Sequence, residues 1–417
     1  VPANFACVPV TSATLAIEEA GIACNQAIFQ VAAGFTSRFA VYALDIDGNI
    51  MLGPGAPAFS ALATGFTFAT KGNVISLTPP TIDANLSALT ITATSPACQL
   101  SGAVCSVSVA IAFDSMVAIA SPANNSVVLF SRLQIQAGAG VPYATITGVS
   151  APTAVAFDGN GNLFIAGGST QSTSVVKEYA PPYTVGAAAT MKTNLNEPYA
   201  MAIGKNGSLG VLNGGTSTAE VFVPPYTAAP KEAPLATTDA TALAFDQNEN
   251  LWISFFSNGV ERFPLAFSYA AVDTLLNGGN GITHPTALQV DTTGNLYVGE
   301  GQIDQFPSPY NGMPALSSNA LANITSMQLD GVHGFIAACG NTEIGFFKTN
   351  ALDESYLRNT PATCSLAFDR FHNLEAVYGG SSNATAFVFD PSFVTWLPQR
   401  TFTSTAMNEP SAVATWP

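Results

Sequence analysis

Apolar and polar positions alternate along this chain in runs of about four to six residues, each closed by Gly, Asn, Asp or Pro. Alternation with a period of two over such short runs predicts strands, and the breakers between them leave no room for helices. One strand pattern keeps returning. TAVAFD ending at Asp158, TALAFD at Asp246, TALQVD at Asp291, TSMQLD at Asp330 and CSLAFD at Asp369 are copies of each other, with a degenerate copy, YAMAIG, ending at Gly204. A polar turn and a second apolar run follow each copy, as in GNGNLFIAGG, QNENLWISFF and TTGNLYVGEG, and then a third strand such as SVVKEY, GVERF or EIGFF. The copies lie about 39 to 47 residues apart, the length of one four-stranded propeller blade. Asn-Gly and Gly-Asn steps supply the positive φ that tight hairpins need. Pro-Pro-Tyr recurs at Pro181–Tyr183 and Pro224–Tyr226, with a variant at Pro307–Tyr310, where proline ends pairing near a sheet edge.

Two fragments complement each other. The chain after Phe113 reads MVAIAS, SVVLF and YATITG, the second, third and fourth strands of a blade without its first. Near the C-terminus NEPSAVATWP matches NEPYAMAIG, a first strand with nothing after it. Ser411, Ala412, Val413, Ala414, Thr415 and Trp416 are therefore expected to close a ring and remove its open edges. Six internal copies and this composite blade predict seven. The other assignment takes SVSVAIAFD, ending at Asp114, as the missing first strand.

A first strand ending in Asp, a Gly-Asn turn and an LYVG-type second strand resemble the NHL and SMP-30-like propeller superfamily over residues 113–417. That resemblance implies fold more than function, because such propellers include lyases, lactonases and binding scaffolds. Residues 1–112 carry no copy of the repeat but alternate as half-buried strands, among them RFAVYALD, FTFAT, NVISLT, ALTITAT and SVSVAIAF. VYALDIDGNIMLGPG resembles the strand and turn of bacterial invasin-type Ig-like repeats. The expected fold class is all-β: a seven-bladed β-propeller (113–417) preceded by an Ig-like β-sandwich (1–112). Residues 1–33 are either an early strand pair or an arm that reaches another subunit.

Composition narrows the partners. Charged residues make up 9% of the chain and only 12 are Lys or Arg, giving a net charge of −15. No basic patch is available to neutralise a phosphate backbone or an anionic membrane, so nucleic acid and membrane insertion are set aside. Protein, including a second copy, or glycan is the expected partner. The chain begins at Val1 without a signal-type segment, as a processed exported protein does. Six cysteines without a zinc-type CxxC pair point to disulfides in an extracellular compartment: Cys7 with Cys24, Cys98 with Cys105, and Cys339 with Cys364 between adjacent blades.

Candidate chemistry is sparse. His284 precedes one first strand, whereas His333 and His372 occupy the turns between first and second strands of consecutive blades and would open on one rim. Glu300, the glutamate at a second-strand end, is a candidate to face the central channel, where the resemblance places the acidic, His or Arg residues of lactonases and lyases. The Asp repeated at first-strand ends reads as a turn residue that accepts its own backbone N–H groups, and Asp45-Ile-Asp47-Gly-Asn likewise. No cofactor is called for. Asn-X-Ser/Thr stands at Asn85, Asn124, Asn206, Asn323 and Asn383. The expectation is a secreted, non-catalytic structural or adhesive protein, and within that class a self-assembling filament subunit; the alternatives are a propeller enzyme of lactonase or lyase type and a small-ligand or glycan-binding module.

Overall fold

Strands build the computed structural model, which describes residues 116–416 apart from short stretches, the longest at 390–399, together with the strands of residues 4–113. The chain divides into two compact units, Val1–Asp114 and Ser115–Pro417. Among the described residues no helix is long and apolar enough to cross a membrane.

In the larger unit six four-stranded antiparallel sheets follow one another, each made of four consecutive strands. They are blade 1 (152–193), blade 2 (198–234), blade 3 (240–276), blade 4 (287–318), blade 5 (326–359) and blade 6 (364–403). Six blades, not seven, are thus continuous in the chain. The remaining four-stranded sheet is composite: Ala144–Thr147, Ser126–Ser131 and Met116–Ser121 pair in that order, and Ala412–Trp416 completes the edge. Its register runs from Met116 opposite Trp416 to Ala120 opposite Ala412. The segment before Asp114 does not take this place, because Ile111–Phe113 pairs in parallel with Phe29–Val31.

The cores lie between neighbouring blades. Leu212, Val221 and Ala233 of blade 2 share one cluster with Leu243, Leu251, Phe255 and Phe263 of blade 3. Val117, Val128 and Phe130 of the composite sheet share another with Val377 of blade 6 and with Val413. The second strands therefore bury both faces, which is why they are apolar without alternation. Trp416, fully buried, packs on the blade 1 turn at Gly161, where a Cβ would come within 3.0 Å of the indole.

The repeated Asp sets the first turn of the blades that carry it. Asp158 Oδ1 accepts from Asn160 N and Asn162 N (2.9 and 2.8 Å), and Asn162 Nδ2 donates to Oδ2 (2.9 Å). The same clip holds Asp246 with Asn250, Asp291 with Asn295 and Asp369 with Asn373. The Pro-Pro-Tyr motif does more than end a strand. Tyr183, Tyr226 and Tyr310 take positive φ and donate their hydroxyls to the turn carbonyls of Gly161, Gly207 and Gly294 (2.8, 2.7 and 2.7 Å). Tyr269 does the same to Glu249 (3.0 Å), and its burial pushes the phenol up to about 12.

In the smaller unit Asn4–Pro9 lies between Ile22–Ala23 and Ser37–Leu44 in a five-stranded sheet that continues through Val74–Thr78 to Thr67–Lys71. Ala58–Leu62, Leu89–Thr94 and Ser106–Val109 form a second sheet. Among the described strand residues of this unit, Ile75 and Leu77 of the first sheet and Phe59 of the second are buried. The N-terminal segment is therefore an internal strand of its own sheet at residues 4–9.

Deleting residues 411–417 leaves Met116–Ser121 unpaired on one side and opens the cluster around Val413. A lowered thermal midpoint and concentration-dependent aggregation are expected, read by calorimetry and light scattering; an unchanged midpoint would show that the ring closes without this strand.

Candidate functional site: the channel and the histidine-bearing rim

The first strands of blades 1 to 6 and residues 411–415 converge on one cavity of about 660 Å³. Five of the hydroxyls that line it join one blade to the next. Ser411 Oγ donates to Pro152 O (3.2 Å), Thr153 Oγ1 to Pro198 O, Tyr199 OH to Ala240 O, Thr241 Oγ1 to Pro285 O (2.6 Å) and Thr286 Oγ1 to Ile324 O. Each of these bonds runs from one blade to the entrance of the next. At blade 6 the repeat places Cys364 where the other copies carry a hydroxyl, and the step from blade 5 is covalent: Cys339 and Cys364 form a disulfide with Cα atoms 5.9 Å apart. The last step is made by Val413 N donating to Ser365 Oγ (3.2 Å) and Thr415 Oγ1 donating to Phe368 O (2.5 Å). The recurring Thr of TAVAFD, TALAFD and TALQVD carries this signal in the sequence, although its role shows only when neighbouring blades are in place.

Glu300 is not in the channel. Its Oε2 accepts from Thr283 N, Thr283 Oγ1 and His284 N (2.9, 3.1 and 2.9 Å), so it fastens the entrance loop of its own blade. The reason is geometric: Gly299 pairs with Ala287, which leaves the following residue beside the segment that leads into the first strand. His284 is exposed and packs against Phe256, with ring centroids 4.5 Å apart.

His333 and His372 do meet. In blade 5 the residue four beyond Asp330 is Gly334 instead of Asn, so no side-chain amide takes the second carboxylate oxygen. His333 Nδ1 lies 2.6 Å from Asp330 Oδ2, and His372 Nδ1, from the blade 6 turn, lies 3.0 Å from Oδ1. The two imidazoles stand edge-on with centroids 5.1 Å apart. Asp330 has no exposed side chain, whereas His333 and His372 are 39% and 31% exposed. The three ligand atoms lie within 4.8 Å of one another. The sequence points to both histidines, whereas Asp330 reads there as a turn residue like the other repeated Asp.

A second turn is bridged in the same way. Blade 2 carries Gly204 in place of the Asp, and Glu249 reaches back from the blade 3 turn to accept from Asn206 N at 2.6 Å. A Cβ at Gly204 would lie 2.6 Å from that carboxylate, which explains the degenerate copy. Glu249 and His372 occupy the same left-handed position three residues after the Asp, with φ of 61° and 64°. The side chain at that position thus reads the turn of the preceding blade.

Asn124, Asn206 and Asn323 are exposed. Asn85, Asn383, Asp45, Asp47, Cys24, Cys98, Cys105 and the side chain of Cys7 lie outside the described residues, and with them two of the expected disulfides.

No known family model and no curated protein sequence matches the chain. Solved structures do. A functionally unknown protein from Desulfotomaculum acetoxidans is similar with a TM-score of 0.53 at 11% identity, over 66% of this chain and 92% of that one. Apo AztD from Citrobacter koseri is similar with a TM-score of 0.54 at 9% identity, over 72% of this chain and 97% of that one. At such identities the likeness concerns the fold alone, and the fold is a β-propeller.

Two outcomes follow from this geometry. Thr241→Val removes one blade-to-blade hydrogen bond and is expected to cost about 1 kcal/mol, read as a fall in thermal midpoint of roughly 1–2 °C. For Asp291, burial acts most strongly and raises its pKa, but together the hydrogen bonds from Asn295 and Thr293 outweigh burial and hold the carboxyl below its ordinary value. Its stabilising contribution is therefore present above about pH 4 and is lost as pH falls through the folded value. Asn295→Ala is expected to raise the Asp291 pKa in an NMR titration and to start acid unfolding at higher pH.

Proposed function

We propose that the chain is an exported, non-catalytic scaffold of the cell surface or extracellular matrix. In this reading an NHL-like propeller, seven-bladed when the composite sheet is counted, presents low-charge faces to a protein or glycan and is carried beside an Ig-like unit. One observation carries it: the channel hydroxyls, from Ser411 and Thr153 through Tyr199 and Thr241 to Thr286, are donated to carbonyls of adjacent blades. Those five hydroxyls hold neighbouring blades together and are not available to a substrate. The Cys339–Cys364 disulfide suits an oxidising compartment, and with 9% charged residues the surface relies on small polar side chains.

We further propose that copies join into filaments by exchanging Asn4–Pro9. That strand pairs with Ser37–Leu44 from Asn4 opposite Leu44 to Pro9 opposite Phe39, a register that a second copy reproduces on exchange. The test is negative-stain microscopy of the full chain together with non-reducing electrophoresis of an Asn4→Cys, Leu44→Cys double variant. Filaments and a ladder of linked chains are expected. Discrete particles whose new cysteines close within one chain would overturn the exchange, and turnover of a lactone by the same preparation would overturn the non-catalytic reading.

A further inference from the structure

We propose that Asp330, His333 and His372 form a binding site for a divalent transition-metal ion of the zinc class, one that pins blade 5 to blade 6. The inference stands apart from the scaffold reading and does not depend on it.

The donor set is the first reason. One carboxylate and two imidazoles, with ligand atoms within 4.8 Å of one another, make an N2O set that suits zinc and its neighbours better than calcium or magnesium, which prefer oxygen alone. Separations of 2.6 and 3.0 Å from the carboxylate oxygens to the two Nδ1 atoms are those of atoms that share protons. A cation bound at about 2.0–2.1 Å from each nitrogen would take the place of those protons after a modest widening, with each imidazole carrying its proton on Nε2.

The second reason is the departure from the repeat. In blades 1, 3, 4 and 6 an Asn four residues after the Asp donates its side-chain amide to Oδ2 from within the same turn. Gly334 removes that amide in blade 5 alone among these five Asp-bearing turns, and the same turn supplies His333. The partner comes from a position that costs backbone energy. His372 sits at φ 64°, where blades 1 and 4 carry Gly161 and Gly294, so its imidazole is held against the neighbouring carboxylate from a left-handed residue.

The third reason is placement. Asp330 closes the site from below with no exposed side chain, and the two partly exposed rings leave the solvent side open to a water or a further ligand. Cys339 lies at the far end of the strand pair from Asp330, since Cys339 pairs with Ser326 and Phe335 pairs with Asp330. The disulfide and the histidine pair therefore bridge the same two blades at opposite ends of their strands.

The experiment uses the full chain, freed of metal by chelation and titrated calorimetrically with zinc; cobalt substitution reports the ligand field. One equivalent of zinc is expected to bind, with a visible cobalt spectrum of low coordination number and a zinc-dependent rise in thermal midpoint. His333→Ala should weaken binding by more than the roughly 10- to 100-fold that follows loss of an outer-shell partner. His372→Asn keeps a residue suited to positive φ and should fold normally while losing the same affinity and the same thermal response. Equal zinc binding by the two variants and the parent, or no stoichiometric binding by the parent, would overturn the site. In those cases the cluster is a hydrogen-bonded tie between blades only.

Discussion

The pairing of Ala412–Trp416 with Met116–Ala120 joins the two ends of the larger unit, and the rest of that unit depends on it. An open series of blades would present a bare strand edge at each end and leave one inter-blade core half covered. Because the cores lie between sheets, each blade is stable only with a neighbour on both sides. Closure by hydrogen bonds places Val413 in the cluster with Val117, Val128 and Phe130, and it seats Trp416 on the first turn of blade 1. The same strand then continues the ring of hydroxyl bonds around the channel through Ser411 and Thr415. Backbone pairing, apolar packing and side-chain latching are thus three consequences of one strand.

Around that ring the turns follow an economy of carboxylates. A buried Asp needs its oxygens satisfied, and in four blades backbone N–H groups of its own turn donate to Oδ1 and an Asn amide of that turn donates to Oδ2. Where the repeat is altered, the neighbouring blade supplies what is missing. Gly204 receives the carboxylate of Glu249, and Asp330 receives the imidazole of His372. Both side chains, the accepting carboxylate and the imidazole, come from the left-handed residue of the following turn, so one backbone feature carries two different chemistries. The blade 5 to blade 6 step combines such a contact with a disulfide in the position where the other copies carry a hydroxyl.

The sequence by itself determined the period and the first, second and third strands of the blades, and it pointed to the pairing of Cys339 with Cys364 and to a composite closing blade, whose first strand the structure chose between two candidates. Those features are local or repetitive: alternation, turn residues and a copied motif each act within about ten residues, or recur at a fixed spacing. It also carried the latch, since the Thr of TAVAFD recurs with the Asp, but a hydroxyl's acceptor on another blade has no local signature. The tertiary structure alone decided that Glu300 fastens its own entrance loop, that Tyr183, Tyr226 and Tyr310 cap turns, and that Asp330 stands between His333 and His372. In each case the partner lies on a different strand or blade, so chain register and ring curvature set the contact. The cluster's origin is still visible in one letter, Gly334 where Asn is the rule, because removing a local partner is what leaves a buried carboxylate for a distant one.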